Sequence, residues 1–476
     1  MSSSAEDSPP SEPAALISTE LELPVVNLAD GSPPLPQVFL ALWTDLAQRG
    51  WTAGDFCVTR DRPSEALCIS SNQAIATDTG PVIELVASPS RTLAGVAAQV
   101  KTLQDEARSE LDRIGCAMLG SGVHPGLRPV PDDYYRYRTP RPAYDYAIEQ
   151  RGWRHWSIVD KAAVQELVDV PFEDAPRAVR LLHRLTGLMN FVLRNDPGIH
   201  GEGRLSVRSL AWRSHVPRSG PFAGDARKVV IPAEEIGGWQ DYLSLLWESA
   251  PMFLAGTKNQ GQAFVPERPT FLEFLRGAPR GGWDGRLLDG SKARVVPDPA
   301  HVAATDWSYM GFARIRWKWR PQPPAVAEIV EAWDRGAIEE LMARSLEKVV
   351  IENRGTSTQP PGHDLVSLAL VAGLLANLDE ATEFSRTSPY SFWVRLLDES
   401  TRLPLQSVVL GRSVPELLRE TLAIASRGLA RRGEPDPDQW LAPLLQRIED
   451  GASPAERRLA QLRHGGTAEL IRNVRL

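Results

Sequence analysis

The sequence predicts an α+β protein in which helices pack on the outer face of a curved, mainly antiparallel sheet. Predicted strands and helices in the N-terminal part follow the order β–α–β–β–β–α–β, whereas a doubly wound parallel sheet would need regular alternation. From about residue 325 to residue 476, several segments carry apolar residues at i, i+3 and i+4, which is typical of amphipathic helices. These segments are residues 328–352, 364–377, 415–431, 437–450 and 454–463.

Two predicted strands near the N-terminus carry acidic residues among apolar neighbours. Glu20 and Glu22 lie in residues 18–26, and because side chains alternate along a strand, both carboxylates project from one face. Glu84 repeats this pattern in a second strand between two apolar residues. Such carboxylates favour a hard divalent cation, typically Mg²⁺ held together with substrate phosphates. Solvated glutamates on a half-exposed strand remain the alternative at this point.

Helices and short strands follow these acidic segments in order. A helix is predicted from about residue 36 to 49, and a longer one from 90 to 114 has an apolar stripe at helical spacing. Short strands around residues 56–59, 67–70 and 73–77 lie between the two helices. Polar turns separate these strands, which favours antiparallel pairing.

The middle of the chain supplies two candidate binding residues. A strand at residues 162–170 places Gln165 and Leu167 on one face, and a helix follows at residues 173–193. Arg208, further along, is a candidate for binding an anion. An arginine on a short exposed segment is more often simply solvated, so both interpretations stay open.

A strand at residues 312–320 alternates cationic and apolar side chains. The cations that share one face of this strand are Arg314, Arg316, Lys318 and Arg320. Like charges in a row repel one another unless anions meet them, so the row favours contact with the glutamates or with a triphosphate. Binding to RNA is the alternative, and the overall acidity disfavours it.

Composition and charge narrow the class of protein. The chain has 476 residues, of which 42% are hydrophobic and 24% charged, as in soluble globular proteins. A net charge of −7 argues against a nucleic-acid partner, and no apolar run is long enough for a membrane span. Residues 1–15 predict a disordered leader, and residues 16–476 a catalytic domain whose part from 325 to 476 is helical. Three cysteines without a CxxC pair predict a cytoplasmic location.

Several fragments, taken in order from residue 16 to the C-terminus, resemble the glutamate–cysteine ligase family of carboxylate–amine ligases. The first fragment resembles the opening G-x-E-x-E strand of the family, and the second its next acidic strand. The remaining three are similar to an L-G-x-G-x-H-P turn, a Q-x-H-V-D-V strand and an S-x-R-x-x-x-W segment. The fragments are residues 18–22 (STELE), 77–85 (TDTGPVIEL), 119–125 (LGSGVHP), 164–170 (VQELVDV) and 206–212 (SVRSLAW).

The resemblance implies a glutamine synthetase-like fold and an ATP- and Mg²⁺-dependent reaction. In the family reaction, ATP phosphorylates the side-chain carboxylate of glutamate, and the amine of cysteine then displaces phosphate to give γ-glutamylcysteine. The implied partners are therefore small molecules: glutamate, an amine such as cysteine, and ATP.

The resemblance also implies roles for particular residues. The metal-binding carboxylates are Glu20, Glu22 and Glu84. The substrate-binding residues are Gln165, Arg208 and Arg316. We expect Arg208, Lys318 and Arg320 to be the catalytic cations: Arg208 and Arg320 match family residues, whereas Lys318 departs from the family and could either replace one Mg²⁺ as a point charge near phosphate or abolish one metal site.

Three positions depart from the family pattern. Leu167 replaces the histidine of the Q-x-H-V-D strand, Lys318 aligns with the glutamate of an E-x-R strand end, and Ser18 replaces the opening glycine. Two rival hypotheses therefore remain beside a glutamate–cysteine ligase. One is a ligase of the same family that acts on another amine, a peptide or a secondary metabolite. The other is a non-catalytic, regulatory relative that binds nucleotide or amino acid.

Overall fold

The protein is described by a computed structural model over residues 14–53, 66–70, 73–201, 203–254, 262–288, 290–305 and 309–476. Residues 1–13 of the predicted leader and the predicted strand at residues 56–59 lie outside the described residues, so these predictions stay untested. The strands are β1 (Ile17–Asn27), β2 (Thr52–Ala53), β3 (Ala66–Ser70), β4 (Gln73–Thr77), β5 (Val82–Val86), β6 (Cys116–Met118), β7 (Ala163–Asp169), β8 (Val229–Val230), β9 (Ala263–Phe264), β10 (Trp283–Leu287), β11 (Lys292–Val295), β12 (Met310–Gly311), β13 (Ala313–Trp319), β14 (Leu346–Ser357), β15 (Val408–Val409) and β16 (Arg412–Ser413).

Helices form much of the rest of the described residues. They are α1 (Gln37–Gln48), α2 (Leu93–Arg113), α3 (Pro131–Tyr137), α4 (Pro142–Arg151), α5 (Ala175–Leu193), α6 (Arg208–His215), α7 (Trp239–Trp247), α8 (Phe271–Leu275), α9 (Pro299–Ala303), α10 (Val326–Asp334), α11 (Ile338–Ser345), α12 (Val366–Ala376), α13 (Leu378–Arg386), α14 (Tyr390–Glu399), α15 (Val414–Arg431), α16 (Pro437–Asp450) and α17 (Pro454–Val474). Short 3-10 turns lie at His155–Ser157, Phe172–Asp174, Ala223–Lys228 and Ala278–Arg280. None of the described helices is long and apolar enough to cross a membrane.

One large sheet is the framework of the molecule. Its strands follow the order β13-β14-β7-β1-β5-β4-β3-β2, and β6 pairs with β1 outside this path. Every pairing in this sheet is antiparallel, and β1 lies in the interior between β5 and β7. The predicted α+β class with a mainly antiparallel sheet is therefore confirmed.

The two faces of the sheet differ in polarity because side chains alternate along each strand. On β1, Leu21 and Leu23 are completely buried in the main hydrophobic core. Glu20 and Glu22 alternate with these leucines and therefore project from the opposite face. Helices α2, α5 and α12 pack against the strands on the leucine side. The sequence thus produces one face for packing and one polar face.

Helix α12 is apolar on all sides because it is enclosed between the sheet and the helices α15 and α16. Its contact with α15 is a backbone contact made possible by two glycines. A Cβ atom on Gly428 would lie 1.8 Å from the carbonyl oxygen of Gly373, so a larger side chain at this position would require the two helices to move apart. This contact fixes the helical layer behind the sheet.

The prediction that residues 325–476 are helical is wrong for β14 and for the two short strands β15 and β16. The helix predicted at residues 328–352 consists of α10 and α11, and Leu346–Ser357 then forms β14, which lies between β13 and β7 in the sheet. The run of Val349, Val350 and Ile351 explains the strand, because β-branched residues prefer this conformation and burial alternates along it. The error matters because β14 carries part of the polar face.

Candidate active site

The carboxylates predicted from the acidic strands converge on the polar face of the sheet. Glu22 on β1 lies directly opposite Glu84 on β5, and Glu20 lies opposite Gln165 on β7. The carboxyl group of Glu84 is also close enough to that of Glu20 to hydrogen-bond with it. Asp78, which follows β4, adds a fourth acidic group, and it accepts a hydrogen bond from Tyr144 at 3.1 Å.

Burial and mutual repulsion raise the pKa values of these carboxyl groups. Burial, followed by the charge of Asp78, raises the pKa of Glu22 to about 8. Burial and the charges of Glu20, Asp78 and Glu22 raise the pKa of Glu84 well above its usual value. Burial and the charge of Glu352 likewise raise the pKa of Glu20. The cluster therefore needs protons or a cation to compensate it at neutral pH.

A row of arginines borders the acidic cluster on β13 and β14. Arg314 forms a two-pronged ion pair with the completely buried Glu352, with nitrogen–oxygen distances of 2.9 and 3.0 Å. Arg316 lies 3.4 Å from the same carboxylate and 3.9 Å from that of Glu20. Burial alone would raise the pKa of Glu352, but Arg314, Arg354 and Arg316 together lower it well below its usual value. Glu352 is thus a fixed anion that holds the arginines at the site.

Arg208 enters the site from the first turn of α6. Asp196 fixes this turn because its carboxylate accepts hydrogen bonds from the backbone nitrogens of Val207 and Arg208, at 2.8 and 2.7 Å. Ser357 of β14 donates to the other oxygen of Asp196 at 2.6 Å. The Arg208 side chain is buried and interacts electrostatically with Glu22, yet its Nη1 has no hydrogen-bond partner among the described residues. Arg208 therefore keeps a buried donor available for an anionic ligand.

Gln165 links the acidic and basic parts of the site. Its Nε2 donates to Glu22 at 3.1 Å, and its Oε1 accepts from Arg354. The backbone nitrogen of Ala163 donates to the second oxygen of Glu22 at 2.7 Å. Glu22 is therefore held in one orientation by β7.

Comparison with known proteins gives this site a family. The sequence model of glutamate-cysteine ligase family 2 matches residues 53–473, which is most of the chain. The chain belongs to this family. The resemblance inferred from the sequence fragments is thereby confirmed. No curated protein sequence matches the chain.

Solved structures agree with the family in fold. The chain is similar to the glutamate–cysteine ligase of Francisella tularensis in complex with AMP, with a TM-score of 0.53 and 11% identity over 97% of this chain and 87% of that one. It is also similar to a bifunctional glutathione synthetase from Pasteurella multocida, with a TM-score of 0.50 and 12% identity over 96% of this chain. The match spans half of the length of the Pasteurella protein, at 50% coverage. At these identities the likeness concerns the fold.

Lys318 and Arg320, which are predicted to be catalytic cations, lie outside this arrangement. Lys318 is exposed and pairs with Glu347 at 3.0 Å, two residues beyond Arg316 on β13. Arg320 is exposed just after the strand ends, beyond a bulge between Lys318 and Trp319. The structure thus brings six of the eight predicted site residues together and leaves these two at the surface. The six are Glu20, Glu22, Glu84, Gln165, Arg208 and Arg316.

Glu352 and Arg354 are site residues that the sequence reasoning missed. Glu352-Asn353-Arg354 is an intact Glu-x-Arg at the polar end of β14, and Arg354 donates hydrogen bonds to both Glu352 and Gln165. It therefore fits the Glu-x-Arg pattern of the glutamate–cysteine ligase family better than Lys318-Trp319-Arg320 does. The Glu-x-Arg pattern is present in the sequence, but the helix predicted at residues 328–352 does not place Glu352 on the sheet.

Leu167 lies on the polar face, at the position where the family pattern has histidine. It pairs with Ser18 on β1 and with Glu352 on β14, so it sits between the acidic and basic parts of the site. A leucine there presents a half-buried apolar surface and can neither donate nor accept a hydrogen bond.

The acidic cluster fits a metal ion that is shared with phosphate oxygens. Among the described residues, no group of three or more His, Cys, Asp or Glu side chains is arranged to hold a metal ion by itself. Mg²⁺, however, is usually bound through one or two carboxylates together with substrate phosphates and water. Burial and neighbouring carboxylates raise the pKa values of Glu22 and Glu84, so a bound cation would favour their ionised forms. Glu20, Glu22 and Glu84 are thus suited to a shared Mg²⁺ and not to a closed metal cage.

Proposed function

We propose that the protein is an ATP- and Mg²⁺-dependent ligase that joins the γ-carboxylate of glutamate to the amine of cysteine. The observation that supports this most strongly is the position of the acidic cluster beside the arginines on one sheet face, in a member of the glutamate–cysteine ligase family. The acidic side suits a metal–triphosphate, and the basic side suits a substrate carboxylate and the transferring phosphoryl group.

The reaction divides between these two sides of the site. The glutamate γ-carboxylate attacks the terminal phosphorus of ATP, ADP leaves, and an acyl phosphate forms. The amine then attacks the acyl carbon, loses a proton, and expels phosphate. Bound Mg²⁺, held by Glu20, Glu22 and Glu84, would neutralise the phosphate charge.

The residues of the chain supply orientation and fixed charge for both steps. Arg208 offers its unpaired Nη1 to the carboxylate or phosphoryl oxygens. Arg316 and Arg354 are held in place by Glu352 and add positive charge where negative charge develops. Gln165 keeps Glu22 and Arg354 at a fixed separation. Since strand register and the first turn of α6 set the positions of these groups, little reorganisation is needed on substrate binding.

Release of ADP and phosphate from purified protein with glutamate, cysteine, ATP and Mg²⁺ tests the proposal. Turnover should require all four components, and γ-glutamylcysteine should accumulate in step with ADP. ATP binding without turnover on any amine would instead support a non-catalytic relative. A matched reaction with the surface variant Lys318→Ala should retain turnover.

A second candidate is a ligase that uses a different amine. Leu167 favours it, because the apolar side chain stands where the family pattern has a histidine that could contact the incoming group. Supplying a panel of amines in place of cysteine distinguishes the two candidates. If ADP release appears only with an amine other than cysteine, the glutamate–cysteine assignment is wrong and the ligase assignment stands.

A further inference from the structure

Strand β14 carries a β-bulge at the point where it borders the acidic cluster. On β7 only Gln165 lies between Glu166 and Val164, whereas on β14 two residues lie between their respective partners. These two residues are Arg354 and Gly355, so β14 has one residue more than β7 at this point. Arg354 donates a hydrogen bond to Gln165 from within the bulge.

The extra residue decides which side chains of β14 reach the polar face. Residues that pair directly across an antiparallel sheet have their side chains on the same face. Glu352, before the bulge, pairs with Leu167 on the polar face. Ser357, after the bulge, pairs with Ala163 and therefore lies on the same face. These two residues of β14 are an odd number of positions apart, so without the extra residue one of them would point toward the helices.

A buried polar cluster holds the bulge from the side of the helices. Nδ2 of Asn353 donates to Oε2 of Glu166 at 2.6 Å, and it also donates to Oγ1 of Thr356, beyond the bulge, at 3.3 Å. Glu166 and Asn353 are completely buried. The amide of Asn353 thus joins the two ends of the bulge to each other and to β7.

Glu166 is a carboxyl group in an otherwise apolar part of β7. The residues before and after it on the same face are Val164 and Val168, and both are buried in the main core. Burial raises the pKa of Glu166 to about 7, and the nearby polar groups of Ser367 and Asn353 partly oppose this rise. Since burying a carboxyl group costs free energy that an apolar side chain would not, packing does not account for a glutamate here. Fixing the bulge does account for it.

We infer that Glu166 and Asn353 are positioning residues that fix the bulge of β14 and through it the orientation of Arg354. Both side chains point to the helix side of the sheet, so they act on the reaction through Arg354 and not by contact with a substrate. The effect on turnover rests on the proposed ligase function, whereas the effect on Arg354 does not.

Glu166→Leu removes the acceptor and should fold, because its neighbours on this face are apolar. With the fold verified by circular dichroism, kcat/KM should fall by about tenfold. Asn353→Ala removes the donor instead and should cause a similar loss. Glu166→Gln is the matched control, because its amide oxygen still accepts from Asn353, and it should stay within about twofold of wild type. The inference is overturned if both Glu166→Leu and Asn353→Ala keep full activity, or if Glu166→Gln loses as much as Glu166→Leu.

Combining Glu166→Leu with Arg354→Ala separates positioning from a general loss of folded protein. If Glu166 acts through Arg354, Glu166→Leu should lower kcat/KM by at most about threefold once Arg354 has been replaced. A merely structural role would give the same further loss in both backgrounds, and that result overturns the inference.

A crystal structure of Glu166→Leu tests the inference without a turnover assay. Arg354 should contact Gln165 in the wild-type crystal and lose this contact in the variant, while β7 and β14 stay paired before the bulge. An unchanged contact in the variant overturns the inference. If the wild-type protein turns over no amine, the proposed function fails, and the two crystal structures decide the inference by themselves.

Discussion

Glu22 of β1 lies directly opposite Glu84 of β5, so a buried and a half-buried carboxylate face each other across neighbouring strands of the sheet. Like charges directly opposite each other on neighbouring strands destabilise a sheet unless a cation or a hydrogen bond compensates them. Gln165 and the backbone of Ala163 orient Glu22, but both of these interactions leave the negative charge in place. The register of β1 and β5 therefore creates a site whose stability depends on pH and on bound cations.

The first prediction concerns the pH dependence of stability without divalent cations. Folding raises the pKa of Glu22 from 4.5 to about 8, and that of Glu84 well above 4.5, so ionisation disfavours the folded state. Each pKa unit corresponds to about 1.4 kcal/mol. The contribution of this cluster to stability should be greatest below pH ~4.5 and should fall as the pH rises through about 8. Glu84→Gln should therefore become more stable relative to wild type as the pH rises.

Thermal unfolding of both proteins between acidic and alkaline pH, in the presence of a chelator, measures this effect. Glu383 is exposed on α13, and Glu383→Gln is a matched control that should follow the wild-type profile. If the Tm of Glu84→Gln and that of wild type change in parallel with pH, the ionisation of Glu84 does not destabilise the folded state.

The second prediction distinguishes residues 352–354 from residues 318–320 as the counterpart of the family's Glu-x-Arg pattern. Arg354→Ala removes a cation that contacts Gln165 and Glu352, and it should lower kcat/KM by about 10- to 100-fold. Lys318→Ala and Arg320→Ala should change kcat/KM by no more than about twofold, since both side chains are exposed and lie on β13 beyond Arg316, away from the acidic cluster. Steady-state kinetics of ADP release measure all three variants. A large loss of kcat/KM in Lys318→Ala, with little change in Arg354→Ala, would instead favour residues 318–320 as the counterpart of the family's Glu-x-Arg pattern.

Strands β1 and β5 show which part of the fold the sequence predicts. The alternation in β1 and β5 correctly predicted Glu20, Glu22 and Glu84 on strands, because a buried strand shows its period of two directly. The partner of each strand is set by long-range pairing, which no local pattern contains, so the contact of Glu22 with Gln165 became visible only in the sheet.

Strand β14 shows where local reasoning failed. The apolar residues of its first half continue the helical spacing of α10 and α11, and pairing with β13 and β7 decides the strand instead. A helix at these residues would not place Glu352 beside β13, so the ion pairs of Glu352 with the arginines could not be predicted. The sequence predicted that the cations of β13 share one face. Their partners depend on the neighbouring strand β14, where Arg314 pairs with Glu352 and Lys318 pairs with Glu347.

The third prediction concerns Arg208. Arg208→Lys should raise the KM for glutamate by about 10- to 100-fold, because lysine lacks the planar fork that binds carboxylate or phosphate through two nitrogens. The Tm should change little, since the backbone of residue 208 still donates to Asp196. Arg213→Lys on the same helix is the control, because Arg213 pairs with Asp398. Equal effects of the two substitutions would argue against a direct role of Arg208 in binding.

The fourth prediction concerns the choice of amine. Leu167→His restores a hydrogen-bonding group between Ser18 and Glu352, and it should change the ratio of kcat/KM for cysteine to kcat/KM for other amines. Leu167→Met keeps the position apolar and should leave this ratio within about twofold of wild type, as expected for a volume-conserving exchange. Competition assays with paired amines measure the ratio. A ratio unaffected by histidine would place the amine elsewhere on the sheet face.

The most direct test of the central claim is calorimetric titration of ATP into the protein with and without Mg²⁺. If the carboxylates of Glu20 and Glu84 hold a metal–triphosphate, wild type should bind ATP far more tightly with Mg²⁺ than with a chelator. The double variant Glu20→Gln, Glu84→Gln should lose this Mg²⁺-dependent gain while keeping its fold by circular dichroism. Undiminished Mg²⁺-dependent binding in the double variant would contradict the account.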